Sequence, residues 1–217
     1  MGGVISTQNL ALLPDIPAIR RLTQSLAMLD AILCPEWDMR YYSFNSHWAA
    51  GEMMASMRDG SGDEWFLLFD SAGAAMKGFA HETLMAAASP WPGVISEVPP
   101  TFARFLNEPA FSLEDTTFCI WRSLSDNQWQ RGKIGYPDGD DPDGSADLLF
   151  ILDGRPQTYR EWAEEYYGAE VSLAAVKHIY EHHHLTPEVV AELNEQVTLE
   201  SLKGDLEEIG YPIQAGE

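Results

Sequence analysis

Residues 52–79 have the sequence EMMASMRDGSGDEWFLLFDSAGAAMKGF, which predicts three consecutive strands of one antiparallel sheet. The loop Asp59–Asp63 and the turn Asp70–Gly73 contain the glycines that hairpin connections require. Because Trp65–Phe69 is apolar at every position, we expect this strand to be central and covered on both faces. The meander is predicted to consist of three segments: Glu52–Met57, Glu64–Phe69 and Ala74–Phe79.

A long helix is predicted before this meander, from about Asp15 to Leu33. Asp15 can cap it, Pro17 is tolerated in its first turn, and Pro35 ends it. Apolar residues recur every three or four positions, which is typical of a surface helix with one buried face. The buried face is expected to carry Ile19, Leu22, Leu26, Leu29 and Leu33, and the solvent face Arg20, Arg21, Gln24 and Asp30.

The remaining pattern predicts an α+β fold with the helices packed on the sheet. Further strands are expected at Arg40–Phe44, Phe118–Arg122 and Leu148–Leu152, and a short helix at Thr101–Asn107. Four helices should follow: from about Pro156 to Gly168, Ser172 to His183, Thr186 onward, and Thr198 to Gly210. We interpret residues 1–217 as one domain, with a helix and sheet core at 15–154 and an acidic helical layer at 155–217.

Negative charge is concentrated in the second part of the chain. The formal net charge is −21, and residues 138–217 contain 19 Asp and Glu against 4 Lys and Arg. Such a surface repels nucleic acid and anionic membranes and attracts cationic partners. We therefore expect a basic protein partner, no nucleic acid and no membrane, while the oligomeric state stays open.

Composition and the chain start suggest a cytoplasmic protein. Cys34 and Cys119 have apolar flanks, which favours buried thiols over a disulfide. No signal peptide is evident, and no apolar run approaches the roughly 18–20 residues of a membrane helix. Met1-Gly2 with Ser6 fits a loose N-myristoylation pattern but lacks a second membrane signal.

Aromatic and acidic residues around the start of the acidic region are the candidate partner-binding site. Buried aromatic anchors framed by polar groups are typical of interaction hot spots. The alternative is that the aromatic residues belong to the core and the acids only confer solubility. The candidate residues are Trp129, Tyr136, Asp140, Asp141, Asp143, Glu164, Glu165 and Tyr167.

A metal-assisted hydrolase is the competing hypothesis. His178 and His182 stand four apart on a predicted helix and could bind one divalent metal ion from the same face. The alternative is a helix end whose carbonyls favour histidine. A loose cation site at Asp141, Asp143 and Asp147 and a general base at His81 are weaker candidates, since the calcium-loop pattern fails at both ends and His81 has no evident carboxylate beside it.

Several segments resemble a family of uncharacterised bacterial proteins that has no assigned chemistry. These segments are GDEWF at 62–66, KGFAHE at 77–82, FCIWR at 118–122 and EIGYP at 208–212. In size, charge and predicted α+β content the chain is also similar to acidic immunity proteins of bacterial toxin systems. With no complete catalytic motif, the leading hypothesis is a non-enzymatic binding protein without a cofactor, in its narrower form an immunity-type inhibitor.

Overall fold

A six-stranded antiparallel sheet, with its strands in chain order, forms the centre of the fold. The computed structural model describes residues 3–212, so Met1 and Gly2 of the myristoylation pattern and residues 213–217 of the predicted domain lie outside the described part. The α+β prediction is confirmed. The strands are β1 (Tyr42–Ala49), β2 (Glu52–Arg58), β3 (Glu64–Phe69), β4 (Gly73–Phe79), β5 (Phe118–Ser123) and β6 (Gln130–Arg131).

Seven helices flank this sheet in residues 3–212. Short 3₁₀ turns lie between them, among them Trp37–Met39 and Phe150–Asp153. The helices are α1 (Ile16–Leu33), α2 (Ala103–Leu106), α3 (Ser145–Leu149), α4 (Pro156–Tyr167), α5 (Leu173–Tyr180), α6 (Pro187–Leu193) and α7 (Lys203–Ile209).

The predicted meander is confirmed in its strands and in its turns. In the β2–β3 loop, Asp59 Oδ1 accepts the backbone N–H groups of residues 61, 62 and 63. In the β3–β4 turn, Gly73 has a φ of +146°, which an L side chain rarely adopts. Further along β4, a Cβ on Gly78 would collide with the Phe118 ring, so this position has to remain glycine for β5 to pair.

Both faces of the sheet are covered, as the all-apolar β3 predicts. Trp65, Leu67 and Phe69 pack on one face against α1 and the C-terminal helices. Phe66 and Leu68 pack on the other face, where segment 85–113 supplies a second layer of apolar side chains. That layer is contributed by Met85, Val94, Phe102, Phe105, Leu106 and Phe111.

Helix α1 begins as predicted, because Asp15 Oδ1 accepts the Ala18 N–H at 2.9 Å. The prediction that α1 is a surface helix is wrong, since every residue from Leu22 to Ile32 is buried. Of the face expected to be in solvent, Arg20 and Arg21 are exposed, but the C-terminal helices cover Gln24 and Asp30. Gln24 donates to the Ile209 carbonyl at 2.9 Å and Ser25 to the Ile179 carbonyl at 3.0 Å, so the polar residues of α1 anchor the C-terminal helices.

Asp30 is the charged group at the centre of this arrangement and is completely buried. Its Oδ2 accepts the backbone N–H groups of Tyr41 and Tyr42 at 3.0 and 2.7 Å, and its Oδ1 accepts the Tyr159 hydroxyl at 2.8 Å. One carboxyl group thus joins α1, β1 and α4. Burial raises the pKa of Asp30 to about 7, and these hydrogen bonds counteract only part of that effect.

The predicted strand at Leu148–Leu152 is wrong, because the segment forms α3 and a 3₁₀ turn. Leu148, Leu149, Ile151 and Leu152 are the buried positions, and this spacing is helical. The preceding acidic loop caps the helix: Asp141 Oδ2 accepts the N–H groups of Ala146 and Asp147. The local capping therefore prevails over the apolar run that suggests a strand.

We expect Asp30→Asn to change the pH dependence of stability. Since the folded-state pKa of Asp30 lies above its ordinary value, the folded protein holds the proton more tightly between about pH 4 and 7, so rising pH destabilises the wild type. Ionisation of Asp30 should lower the free energy of unfolding of the wild type by roughly 4 kcal/mol over this pH range. The asparagine side chain stays neutral, so the stability of the variant relative to wild type should improve as pH rises.

Urea unfolding at pH 4.5, 6 and 8 measures this difference. Asp15→Asn is the matched control, because the exposed α1 cap changes to an equally good capping residue. A difference between wild type and Asp30→Asn that stays constant over this pH range would contradict the buried-carboxyl assignment.

Candidate partner-binding surface

Two of the predicted partner-binding residues lie in the core. Trp129 is 2% exposed, and its Nε1 donates to the Pro14 carbonyl at 2.7 Å. Asp143 is fully buried and accepts both the N–H and the hydroxyl of Ser145. Their assignment to a partner surface is therefore corrected, because neither side chain reaches solvent in this fold.

Tyr136 belongs to the same buried network as Asp143. The Tyr136 hydroxyl donates to Thr7 Oγ1 at 2.9 Å, and Thr7 in turn donates to Asp143. This network fastens the N-terminal segment to the loop before α3. Asp140 remains exposed and Asp141 is half-buried as the α3 cap, so of the three predicted aspartates of this loop only Asp143 is in the core.

The predicted residues on α4 divide between core and surface. Glu165 is exposed, and Glu164 accepts the Val171 N–H at 3.2 Å and lies 3.5 Å from Arg160. Tyr167 is half-buried, with its ring 6.0 Å from that of Trp162. Glu164 thus contacts the segment after α4, Glu165 is exposed on α4, and Tyr167 packs inward.

An open groove of about 900 Å³ lies where α4 ends, and we call it the acidic groove. Residues 168–173 form part of its lining, and four charged side chains border it: the carboxylates of Glu164, Glu170 and Glu192, and the guanidinium of Arg160, which pairs with Glu164. Glu192 is held in place by a hydrogen bond from the Ser172 hydroxyl. Because α4 ends here, its terminal carbonyls add partial negative charge.

The charge around the acidic groove is largely uncompensated within the described chain. Residues 155–212 contain twelve Asp and Glu. Of these, three pair with an arginine or lysine of residues 3–212: Glu164 with Arg160, Glu200 with Lys203, and Asp205 with Arg40. The helical layer therefore presents a net negative surface.

The structure does not place His178 and His182 on one helical face, because α5 ends at Tyr180 and His182 has a φ of +57°. His178 Nε2 lies 2.8 Å from the His184 carbonyl, and His182 Nε2 lies 2.7 Å from the Arg21 carbonyl. These contacts occupy one nitrogen of each ring. Within residues 3–212, no group of three or more His, Cys, Asp or Glu side chains is arranged to hold a metal ion.

His81 differs from expectation, since a carboxylate does lie beside it. Asp63 Oδ1 accepts the backbone N–H of His81 at 2.8 Å and also lies 2.7 Å from Nδ1 of the His81 ring. This contact raises the pKa of His81. Asp63 lies in the β2–β3 hairpin, eighteen positions earlier in the chain, and only strand pairing brings it to His81.

Lys77 is a charged side chain that sequence analysis missed. It lies on β4 among apolar residues of the face covered by segment 85–113, is 2% exposed, and its Nζ has no hydrogen-bond partner among the described residues. The nearest described interaction is the Phe111 ring, 5.8 Å from Nζ to the centroid. Burial lowers the pKa of Lys77, with Glu64 the main opposing charge.

Comparison with protein-family models, with curated protein sequences and with solved structures yields no match for this chain. The resemblance to an uncharacterised bacterial family and to immunity proteins therefore stays a prediction. In residues 3–212, no helix combines the length and the apolar character needed to cross a bilayer.

Lys77→Met should stabilise the protein at pH 7. Methionine retains the apolar stem and removes a buried amine, whose missing hydrogen bonds cost roughly 1–3 kcal/mol. The wild type should also gain stability as pH rises toward the ordinary lysine pKa, since the folded state binds its proton less tightly, and the variant should lack this gain.

Thermal and urea unfolding at pH 7 and 9.5 measure both effects. Lys177→Met is the control, because Lys177 is exposed on α5. A Lys77→Met variant that is less stable than wild type by roughly 1–3 kcal/mol would contradict this prediction. It would show that the Lys77 amine makes a stabilising interaction in solution.

Proposed function

We propose that this chain is a non-enzymatic protein-binding domain whose acidic groove engages a basic protein partner. The supporting observation is that Glu170 and Glu192 make no ion pair to residues 3–212, while Glu164 pairs with Arg160, so the groove keeps negative charge available to a partner. Lysine and arginine side chains fit an open groove bordered by carboxylates. Inhibition of a basic toxin is the narrower form of this proposal, supported by charge and fold class alone.

Electrostatics determines how such a partner would bind. A surface of one sign accelerates association with an oppositely charged protein, and salt screens this effect over about 8–10 Å. Glu164 and Glu192 are held by neighbouring residues, so the groove keeps its shape without a partner. Exposed Glu165 and Glu170 make no ion pair to residues 3–212, which leaves their charges free to attract the partner.

Metal-assisted hydrolysis remains a hypothesis without a supporting observation. His178 and His182 each contact a different backbone carbonyl, and the described residues do not bring a third ligand to them. Metal analysis of protein prepared without a histidine tag would test it, since a stoichiometric ion would favour the hydrolase.

The binding proposal predicts that Glu165→Gln/Glu170→Gln weakens partner capture. The variant loses one exposed charge that lines the groove, Glu170, and one on α4 next in sequence to the lining residue Glu164. Its association rate should therefore fall severalfold at low salt and converge with wild type at about 0.5 M salt, where screening is strong. Partners captured from native lysate are identified, purified and remeasured by surface plasmon resonance.

Glu82→Gln/Glu114→Gln is the matched control, because it removes the same charge from exposed positions elsewhere. It should bind the purified partner almost as fast as wild type. Equal losses of association rate in both double variants would show a general charge effect and contradict the groove assignment. Captured partners that are predominantly acidic would contradict it as well.

A further inference from the structure

Three exposed apolar side chains meet at one cavity near the start of β1. Trp37, Met39 and Tyr166 are 55%, 62% and 46% exposed, and all three border a cavity of about 210 Å³. Exposed apolar residues that converge on a concavity are typical of a binding site. They are three of the eight large exposed hydrophobic residues in the described chain; the others are Val4, Leu12, Trp48, Leu84 and Leu124.

The rim of this cavity is held by a buried arginine. Arg40 donates from Nε to the Cys34 carbonyl at 2.9 Å and from Nη2 to the Pro35 carbonyl at 3.0 Å, and its Nη1 pairs with Asp205. Its side chain is 8% exposed. The loop that carries Trp37 is therefore fixed before any ligand arrives, which lowers the entropic cost of binding.

Aromatic rings form the walls of the cavity. The Tyr41 ring lies 5.1 Å from Tyr166 at an interplanar angle of 73°, and Trp162 packs behind both rings at 4.8 and 5.2 Å. Trp37 borders the cavity from the preceding loop. Aromatic faces attract cations, and the flat guanidinium group of arginine stacks on them particularly well.

Two aspartates and two arginines border the cavity, and they differ in whether another residue compensates their charge. Asp38 makes no side-chain hydrogen bond or ion pair to the rest of residues 3–212, whereas the carboxylate of Asp59 is occupied by its own hairpin. Arg58 also borders the cavity, but its guanidinium lies 5.2 Å from the Phe66 centroid and its Nε lies 3.9 Å from Glu64. The Arg58 charge is thus partly balanced by Glu64, whereas Arg40 pairs with Asp205.

We propose that this cavity binds the guanidinium group of an arginine side chain, which stacks on Trp37 and Tyr166 and donates to the Asp38 carboxylate. Tyr166 directly follows Glu165 on α4, so a basic protein could contact this cavity and the acidic surface together. The inference goes beyond the proposed function, because it concerns a different cavity and a small arginine probe tests it without the partner.

Titration of ¹⁵N-labelled protein with N-acetyl-arginine amide, followed by NMR, tests this site. We expect saturable shifts at the Trp37 indole with a Kd on the order of millimolar, and much weaker binding of the matching citrulline amide, a neutral analogue of similar shape. Trp37→Ala and Asp38→Asn should each weaken arginine binding about fivefold or more, as expected for the loss of about 1 kcal/mol.

Trp48→Ala is the control, since Trp48 is an exposed tryptophan stacked on Phe111 and does not border this cavity. It should bind the arginine probe like wild type. Thermal unfolding verifies that Trp37→Ala and Asp38→Asn are folded. Binding is followed at the retained Trp37 indole in Asp38→Asn and at the backbone amides of residues 37–41 in Trp37→Ala.

Three results would each overturn the proposal: equal binding of the citrulline and arginine amides, full binding by Trp37→Ala, or no saturable shift up to about 50 mM probe, well above the expected range. These outcomes are independent of the groove experiment. Loss of partner capture in Glu165→Gln/Glu170→Gln would leave the arginine result unchanged, and failure of arginine binding would leave the groove proposal in place.

Discussion

The buried carboxyl group of Asp30 is the interaction on which the packing of the sheet and helices depends. It accepts two backbone N–H groups at the start of β1 and the hydroxyl of Tyr159 on α4. A buried acid is costly, and this one lies where three elements meet, with hydrogen bonds to two of them. Its hydrogen bonds set where β1 begins, and Tyr41, beside them, packs against α4 and borders the cavity lined by Trp37 and Tyr166.

Helix α1, which carries Asp30, also holds the acidic helical layer in place. The buried polar side chains of α1 donate to carbonyls at Ile179 and Ile209, near the ends of α5 and α7. Apolar contacts alone would allow these helices to slide, whereas directed hydrogen bonds fix their position. The acidic surface of the C-terminal helices is therefore carried on a rigid base, and its charge has a defined location relative to α4.

Much of the fold could be predicted from local pattern. The β2–β4 meander, the start of α1 and the glycine ends of α4 and α7 follow from periodicity, capping and turn residues, which act over a few positions. The site could be predicted only in part. Glu164 and Glu165 do lie at the surface, but Trp129 and Asp143 are buried, because nothing local indicates which polar residues find partners such as Pro14 or Thr7.

The sequence by itself determined the fold class, the meander with its covered central strand, and the excess of carboxylates in the second part of the chain. Only the tertiary structure decided that α1 is enclosed, that Lys77 is buried without a partner among the described residues, and that Trp37 and Tyr166, 129 positions apart, share one cavity. The reason is physical: periodicity and capping are local energies, whereas burial and charge compensation depend on distant segments that meet only when the chain is folded.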